Sequence, residues 1–289
     1  MVSRKIVVTV LALLVAGAAW AYVDRSGGTA SAAQQQVGPA ELSSRLPFSR
    51  ILYAPTEAKW RIAEAEQRLT TACMAKAGFS YRPAAIPKPA EVTEESQMPF
   101  GLEYLGSPGS AASAGPSETR ESKAFSLALY GNPNDRISAS GKLIKVSWPA
   151  EGCQAEAEKQ LVGTGRQQLL QVTIQLDEGE QQARQLLEQD PAFEAANARW
   201  AQCALKAGVR AKDPVGLLKS LPRGIDYSSN EAAQVDVRCK EDTDYLRTAY
   251  TRLAAVQQTW LDAHAGELAS WNSLQQRQDT AARVVLHTP

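Results

Sequence analysis

Four cysteines are the residues of this sequence that could most readily do chemistry, and two of them belong to a repeated motif. Residues 73–79 and 203–209 read CMAKAGF and CALKAGV, so that Cys, Lys, Ala and Gly recur in register. Cys153 and Cys239 also resemble each other, because each has an acidic residue three positions further on. The repeat predicts a duplicated unit, in which a cysteine that ends one helix meets a cysteine near the start of a later helix.

Four cysteines allow three pairings, and a duplicated unit should close on itself. The prediction is therefore Cys73 with Cys153 and Cys203 with Cys239. A zinc site is disfavoured, because zinc ligands come in closely spaced pairs and the separations here are 80, 50 and 36 residues. A catalytic thiolate with His264 would also need a third, orienting group. We expect structural disulfides, with no metal site and no cofactor.

Other catalytic groups are sparse. The chain has only two histidines, His264 and His287, and lacks the Gly-x-Ser-x-Gly pattern of a nucleophilic serine. Its acidic clusters lie in strongly polar stretches, where a solvated helix face is favoured over an acid–base pair. These clusters are Glu94-Glu95, Asp177-Glu178-Glu180 and Glu241-Asp242-Asp244. The sequence predicts no catalytic residue, and we expect the protein not to be an enzyme.

The N-terminal residues predict the compartment. Arg4 and Lys5 precede an uncharged, mainly apolar run over residues 6–23. Residues 1–21 fit a signal peptide cleaved after Ala21, while the same run also reaches the lower limit for an uncleaved membrane anchor. Both alternatives place the rest of the chain outside the cytoplasm, either secreted or anchored to the cell membrane, because the basic residues stay inside.

The charge of the chain bears on its partners. Its 289 residues carry 31 basic and 31 acidic side chains, so the net charge is zero. Nucleic-acid binding needs a cationic excess or a basic stripe, and we therefore expect no nucleic-acid partner. Contact with a membrane is expected only through the N-terminal segment, if that segment is uncleaved.

Helical periodicity and Gly and Pro positions predict a mainly α fold with two disulfide-closed helical hairpin units, a small irregular or β insert and a long C-terminal helix. Helices are expected at 56–77, 167–189 and 190–208, with a strand at 143–148 and a weaker one at Phe125–Tyr130. The predicted organisation is a tether (22–41), one exported helical domain (42–279) and a tail (280–289). Within the domain, unit one covers 42–165 with the insert 80–150, and unit two covers 166–279.

Residues 228–278 show one nearly unbroken helical pattern, which would make a helix of about 75 Å. We expect Leu170, Ile174 and Leu187 of the helix at 167–189 to cover its first half and the second half to project. Trp260 and Trp271 lie three helical turns apart on that half and form a candidate partner face. Cover by a helix of the same chain and a sugar-stacking platform are the alternatives.

Four strings together carry a resemblance to a known family. They are Cys73-x4-Gly-Phe-x-Tyr81, Gly152-Cys-x2-Glu-Ala157, Trp200-x2-Cys-x4-Gly208 and Asp236-Val-x-Cys239. In this order they resemble an uncharacterised family of exported, disulfide-bonded helical proteins of actinobacteria, over about residues 57–275. The resemblance implies an extracytoplasmic protein that accompanies envelope transport or peptidoglycan-binding proteins, and it brings no catalytic residues. Val209 departs from it, since Phe or Tyr is usual there.

The functional expectation is a non-enzymatic cell-envelope protein that binds another envelope protein through its long helix or its insert, and the resemblance implies a transport-associated partner. The alternative is an enzyme or binding module that acts on peptidoglycan or another glycan. In that case its site would lie in the insert, where residues 99–104 (PFGLEY) could present aromatic side chains to a ligand.

Overall fold

The computed structural model of the chain describes residues 37–92, 98–105, 122–222 and 226–287. This part of the molecule is mainly α-helical with one small β-hairpin, two disulfides and a long last helix, which confirms the predicted fold class. The α-helices are α1 (Pro39–Ser44), α2 (Glu57–Lys76), α3 (Lys123–Tyr130), α4 (Cys153–Val162), α5 (Arg166–Leu187), α6 (Pro191–Lys206), α7 (Pro214–Ser220), α8 (Glu231–Asp242), α9 (Tyr245–Ala263) and α10 (Ala265–His287). The strands are β1 (Arg136–Ser140) and β2 (Lys145–Pro149), and single turns of other helix types lie at Ser49–Tyr53, Pro89–Glu91, Gly163–Gly165 and Tyr227–Ser229.

The N-terminal part of the chain is only partly described. Residues 1–36, with the predicted signal peptide or anchor and most of the tether, lie outside the described residues. The last residues of the predicted tether are described, and Pro39 among them begins α1. Of the helices that the structure describes, none combines the length and the apolar character needed to cross a membrane.

Local signals in the sequence set the ends of two helices. The Thr56 side chain accepts a hydrogen bond from the backbone N–H of Lys59 at 3.2 Å and so caps the start of α2. Asp190 caps α6 in the same way, accepting from the N–H groups of Ala192 and Phe193, with Pro191 in the first helical position. Both starts are as the sequence predicts.

The β-hairpin lies in the insert. Strands β1 and β2 pair antiparallel, with Ile137 opposite Trp148, and β2 coincides with most of the predicted strand. The weaker strand prediction, Phe125–Tyr130, is wrong, because this segment forms α3. The Ser122 side chain accepts from the Phe125 N–H at 3.1 Å, which caps the start of that helix.

The single long helix predicted over 228–278 is also wrong. It is divided into α8, α9 and α10 by breaks at Asp244, whose φ is +51°, and at His264. The last helix turns back against α2, α4 and α5 instead of projecting. It continues to His287, so that most of the segment predicted as a tail is helical.

Helix α5 packs along α9, as expected, although the predicted side chains divide between two surfaces. Leu187 lies in the same buried cluster as Tyr250 and Leu253 of α9. Leu170 and Ile174 are buried instead beneath the β-hairpin, beside Ala139. The hairpin therefore covers the face of α5 that the sequence had assigned to the long helix.

Two contacts join the parts of the chain that the sequence divided into units. Helix α10 runs beside α2, and the Arg61 guanidinium donates to the Asp279 carboxylate at 2.7 Å across this interface. Phe100, from the insert, lies in the largest buried cluster with Phe193 and Tyr245. Elements of each predicted unit thus complete the core of the other.

Candidate functional site

The two disulfides have the predicted pairing. Cys73 is joined to Cys153 with a Cα–Cα distance of 5.5 Å, and Cys203 to Cys239 with a distance of 5.7 Å. None of the four cysteines is free. Because such bonds persist in oxidising compartments, the two bridges indicate an extracytoplasmic setting.

The repeated motif has the same structure in both copies. Gly78 and Gly208 each follow a helix with a φ of +85°, a conformation that favours glycine. The next residue then bonds back to the helix, Phe79 N–H to Met74 at 2.9 Å and Val209 N–H to Ala204 at 2.8 Å. The side chains that follow differ: Phe79 packs edge-on against Phe125, whereas Val209 joins the largest core cluster.

The second halves of the two units are less alike than the sequence suggested. Cys153 is the first residue of α4, as predicted. Cys239 lies near the end of α8, and the prediction that it starts a long helix is wrong. The cause is the break at Asp244, which ends the helical run a few residues after the cysteine.

Of the two tryptophans predicted to form a partner face, Trp260 is buried inside the molecule, with 7% of its surface exposed. Its ring packs against the bare backbone of Gly179, and its indole N–H donates to Gln182 at 3.1 Å. The imidazole ring of His264 stacks on the Trp260 ring, with the ring centres 3.8 Å apart. Trp260 therefore belongs to the core, His264 is half-buried against it, and of the two predicted tryptophans only Trp271 is partly accessible to a partner.

The acidic clusters have unequal roles. Glu178 is only 4% exposed and accepts hydrogen bonds from the backbone N–H groups of residues 142–144 at 2.8, 2.6 and 3.1 Å. These bonds lower the pKa of Glu178, since they favour its ionised form. The prediction of a solvated face is wrong for this cluster, because Glu178 caps the hairpin turn. The cluster from Glu241 to Asp244 is exposed, and Glu94-Glu95 lies outside the described residues.

The aromatic segment of the insert is also built into the core. Phe100 contacts Tyr250 edge-on at 5.0 Å, and the Tyr250 hydroxyl donates to the buried Glu103 carboxylate at 2.8 Å. Lys240 donates to the backbone carbonyl of Leu102 and to Asp236. Residues 99–103 are thus held by α8 and α9, and only Tyr104 is exposed. This segment cannot present its phenylalanine to a ligand in this arrangement.

The feature with the best geometry for binding is a cleft of about 290 Å³ between α2, α5, α10 and strand β2. Two half-buried indoles line it, Trp148 and Trp271, which lie far apart in the sequence. Its polar lining includes Lys59, Glu66 and Gln278. We call it the tryptophan cleft. Aromatic walls with a few convergent polar groups are typical of a binding site.

Glu66 is the most perturbed group of the tryptophan cleft. Burial among apolar side chains raises its pKa to about 7, and the neighbouring charge of Glu158 adds to the effect. The Arg166 guanidinium opposes it only in part, because Arg166 is bonded to Glu158 at 2.8 Å. The Glu66 carboxyl makes no hydrogen bond or ion pair with any residue that the structure describes. It can therefore act either as a hydrogen-bond donor or as a negative charge near neutral pH.

Reasoning from the sequence missed Glu66, although a signal was present. It lies four residues after Ile62 and one after Ala65, both on the buried stripe of α2. A carboxylate on the apolar face of a helix needs a partner or a function. Apart from Leu52, the walls of the cleft outside α2 come from segments more than 80 residues away, which no local pattern could bring together.

A larger depression of about 720 Å³ lies beside the second disulfide. Its charged lining residues are Arg199, Lys206, Arg238, Asp242 and Asp244, all exposed. Charges of both signs at a solvated surface favour no particular ligand. The tryptophan cleft, where charge is half-buried beside aromatic rings, is the stronger candidate.

The described residues contain no group of three or more His, Cys, Asp or Glu side chains placed to hold a metal ion. No protein-family model, no curated protein and no solved structure matches the chain.

Proposed function

We propose that the chain is a non-enzymatic protein of the cell envelope, and that it binds another envelope protein at the tryptophan cleft. The observation that carries this proposal is the cleft itself, in which two half-buried indoles flank a carboxyl group without a partner among the described residues. Buried aromatic anchors in small pockets are the usual centres of protein interfaces.

The size of the cleft supports a protein partner. At about 290 Å³ it lies just below the range of small-molecule sites, which is roughly 300–1,000 Å³. Such a volume admits one inserted side chain more readily than a chain of sugar rings. The partner would then contact the surrounding exposed faces of α2 and α10.

Photo-crosslinking in intact cells tests this proposal. A benzoylphenylalanine at Asn272, which is exposed beside Trp271 on α10, should form an adduct with one protein. The same probe at Arg199, at the other depression, is the matched control and should not form it. Trp271→Ala should remove the adduct from the Asn272 probe. An adduct that persists unchanged in this variant would contradict the proposal.

The location is part of the proposal. We propose that residues 6–23 direct export, and that the protein is either secreted after cleavage or held at the membrane by this segment. A reporter that is active only outside the cytoplasm should be active when fused after Pro289. The mass of the mature N-terminus then distinguishes cleavage after Ala21 from an intact anchor. The two disulfides, which persist in oxidising compartments, support this part of the proposal.

Glycan chemistry is the second candidate, and Glu66 favours it specifically. Glycosidases use two neighbouring carboxyl groups, one of which has a raised pKa; Glu66 has such a pKa, and its neighbour Glu158 is ion-paired with Arg166. Retention of the protein on insoluble cell wall, lost in Glu66→Gln and Trp271→Ala, would support it. Release of reducing sugar from the cell wall by the wild-type chain, but not by these variants, would establish an enzyme and overturn the non-enzymatic proposal.

A further inference from the structure

The tryptophan cleft contains a carboxyl group whose charge Arg166 compensates only in part. Glu66 lines it from α2, and the pKa of this carboxyl, about 7, makes it roughly half ionised in neutral solution. No cation among the described residues pairs with it. A half-buried carboxylate of this kind costs free energy unless a partner supplies a donor or a positive charge.

Two cations, one in the cleft and one acting on the Glu66 charge, are already bonded elsewhere. Lys59 lines the same cleft, but its ammonium donates to the backbone carbonyl of Ala54 at 3.0 Å. Arg166 donates to Glu158 at 2.8 Å and to the carbonyl of Pro149 at 2.9 Å. Neither cation forms an ion pair with Glu66, so this charge is open to a ligand.

The aromatic lining suits a cation on an apolar stem. Trp148 and Trp271 both line the cleft, and neither indole N–H makes a hydrogen bond with a described residue. Tryptophan is the side chain whose ring face attracts cations most strongly. The remaining walls include Ile62 and Leu169, which match an aliphatic chain.

We propose that the tryptophan cleft receives a lysine side chain of the protein partner, whose stem lies against the indoles and whose ammonium pairs with Glu66. The inference rests on the proposed function, since it names the group by which that partner is recognised. We infer lysine rather than arginine, because a compact ammonium on a slender four-carbon stem needs less room in a cleft of about 290 Å³ than a planar guanidinium.

The pairing makes recognition pH-dependent. The groups that face Glu66 are Glu158 and Arg166, from α4 and α5, and Lys59 lies on its own helix. A lysine ammonium stays charged up to about pH 10 and binds the ionised carboxyl. Because the pKa of Glu66 is about 7, its ionised fraction, and with it the affinity, should rise about tenfold between pH 6 and pH 8.

The test uses the purified full chain labelled with 5-fluorotryptophan, whose six signals are assigned by single Trp→Phe variants. The probe is Nα-acetyl-lysine-N-methylamide, titrated against its norleucine counterpart, which keeps the stem and lacks the charge. The lysine probe should shift the Trp148 and Trp271 signals, with an affinity at pH 8 at least about tenfold above that of the norleucine probe.

Two variants distinguish an effect of the Glu66 charge on binding from an effect on folding. Glu66→Gln should weaken the lysine probe about tenfold and remove its pH dependence, while the norleucine probe is unaffected. Glu64→Gln is the matched control, because Glu64 lies on the same helix and does not line the cleft. Thermal unfolding of both variants shows whether each one is folded.

Equal affinities of the two probes, or no effect of Glu66→Gln in a folded protein, would overturn the inference. The proposed function fails separately, if the adduct at Asn272 does not depend on Trp271. An adduct that needs Trp271 but is indifferent to Glu66→Gln would keep the protein-binding proposal and reject the lysine.

Discussion

Lys240 and Asp236 form an ion pair in the interior of the molecule, with the ammonium 2.9 Å from the carboxylate and each side chain 1% exposed. Both residues lie on α8, four positions apart. Lys240 also donates to the backbone carbonyl of Leu102, so the pair holds the insert segment 98–105 against the helix. Burial raises the pKa of Asp236 and lowers that of Lys240, in opposition to their mutual attraction.

Removal of one member of the Lys240–Asp236 pair should destabilise the protein, because the other charge would remain buried without a counter-ion. We expect Lys240→Met to destabilise the protein by about 3–5 kcal/mol and to expose residues 98–105 to proteolysis. Urea unfolding and limited proteolysis measure the two effects. The double variant Lys240→Met/Asp236→Leu should recover most of the loss. A double variant no more stable than Lys240→Met alone would show that the charge pair is not the cause.

A substitution at Gly179 tests how tightly Trp260 is packed. A Cβ on this glycine would lie 2.5 Å from the Trp260 ring, so Gly179→Ala must displace the indole. We expect a loss of about 1–3 kcal/mol, despite the better helix propensity of alanine. Gly266→Ala is the control, since nothing lies within 4 Å of that position. It should be neutral or stabilise the protein by up to about 1 kcal/mol, and equal melting temperatures of the two variants would contradict the packing argument.

Glu66 should make stability depend on pH. Its pKa rises from 4.5 in the unfolded chain to about 7 in the folded protein, so the folded state holds its proton more tightly. The associated stability is fully present below pH 4.5 and is lost as the pH rises through 7. Glu66→Gln should therefore be stabilising by about 1–3 kcal/mol at pH 8.5 and neutral at pH 4. Chemical denaturation at the two pH values measures this, and a stability difference that does not change with pH would contradict it.

The disulfides should contribute strongly to the free energy of unfolding. The loops that they close span 80 and 36 residues, for which the chain-entropy model gives about 4 kcal/mol each. The double variant Cys203→Ser/Cys239→Ser should therefore lose about 2–5 kcal/mol in thermal or urea unfolding. Thiol titration of the unfolded wild type should find no free thiol before reduction and four after it. Free thiols before reduction would contradict the bridged state.

Features that depend on neighbouring residues were predictable, and those that depend on distant ones were not. The caps at Thr56 and Asp190 and the cysteine pairing follow from short motifs. The turn at Asp244 does not, because aspartate tolerates a positive φ at many positions of a chain and no motif around residue 244 marks this one as the break. Glu178 was misread for a similar reason, since its bonding partners lie about 35 residues away.

The candidate site shows the same limit. Trp271 was identified as a residue with a possible role in recognition, from its spacing along a helix. Its neighbours in the cleft, Glu66 and Trp148, belong to α2 and β2, and the sequence contains no pattern that relates them to α10. Only the return of α10 against α2 brings these three side chains to one place.

The pairing of α2 with α10 also bears on the order in which the protein can fold. Arg61 and Asp279 are 218 residues apart in sequence, and the apolar face of α2 is covered by residues near the end of the chain, such as Ala282. While a ribosome or a translocation channel still holds the last 25 residues or so, α2 lacks this neighbour. The native arrangement must then form after the last helix has been released. A chain truncated before α10 would leave that face in water, exposed to chaperones and proteases.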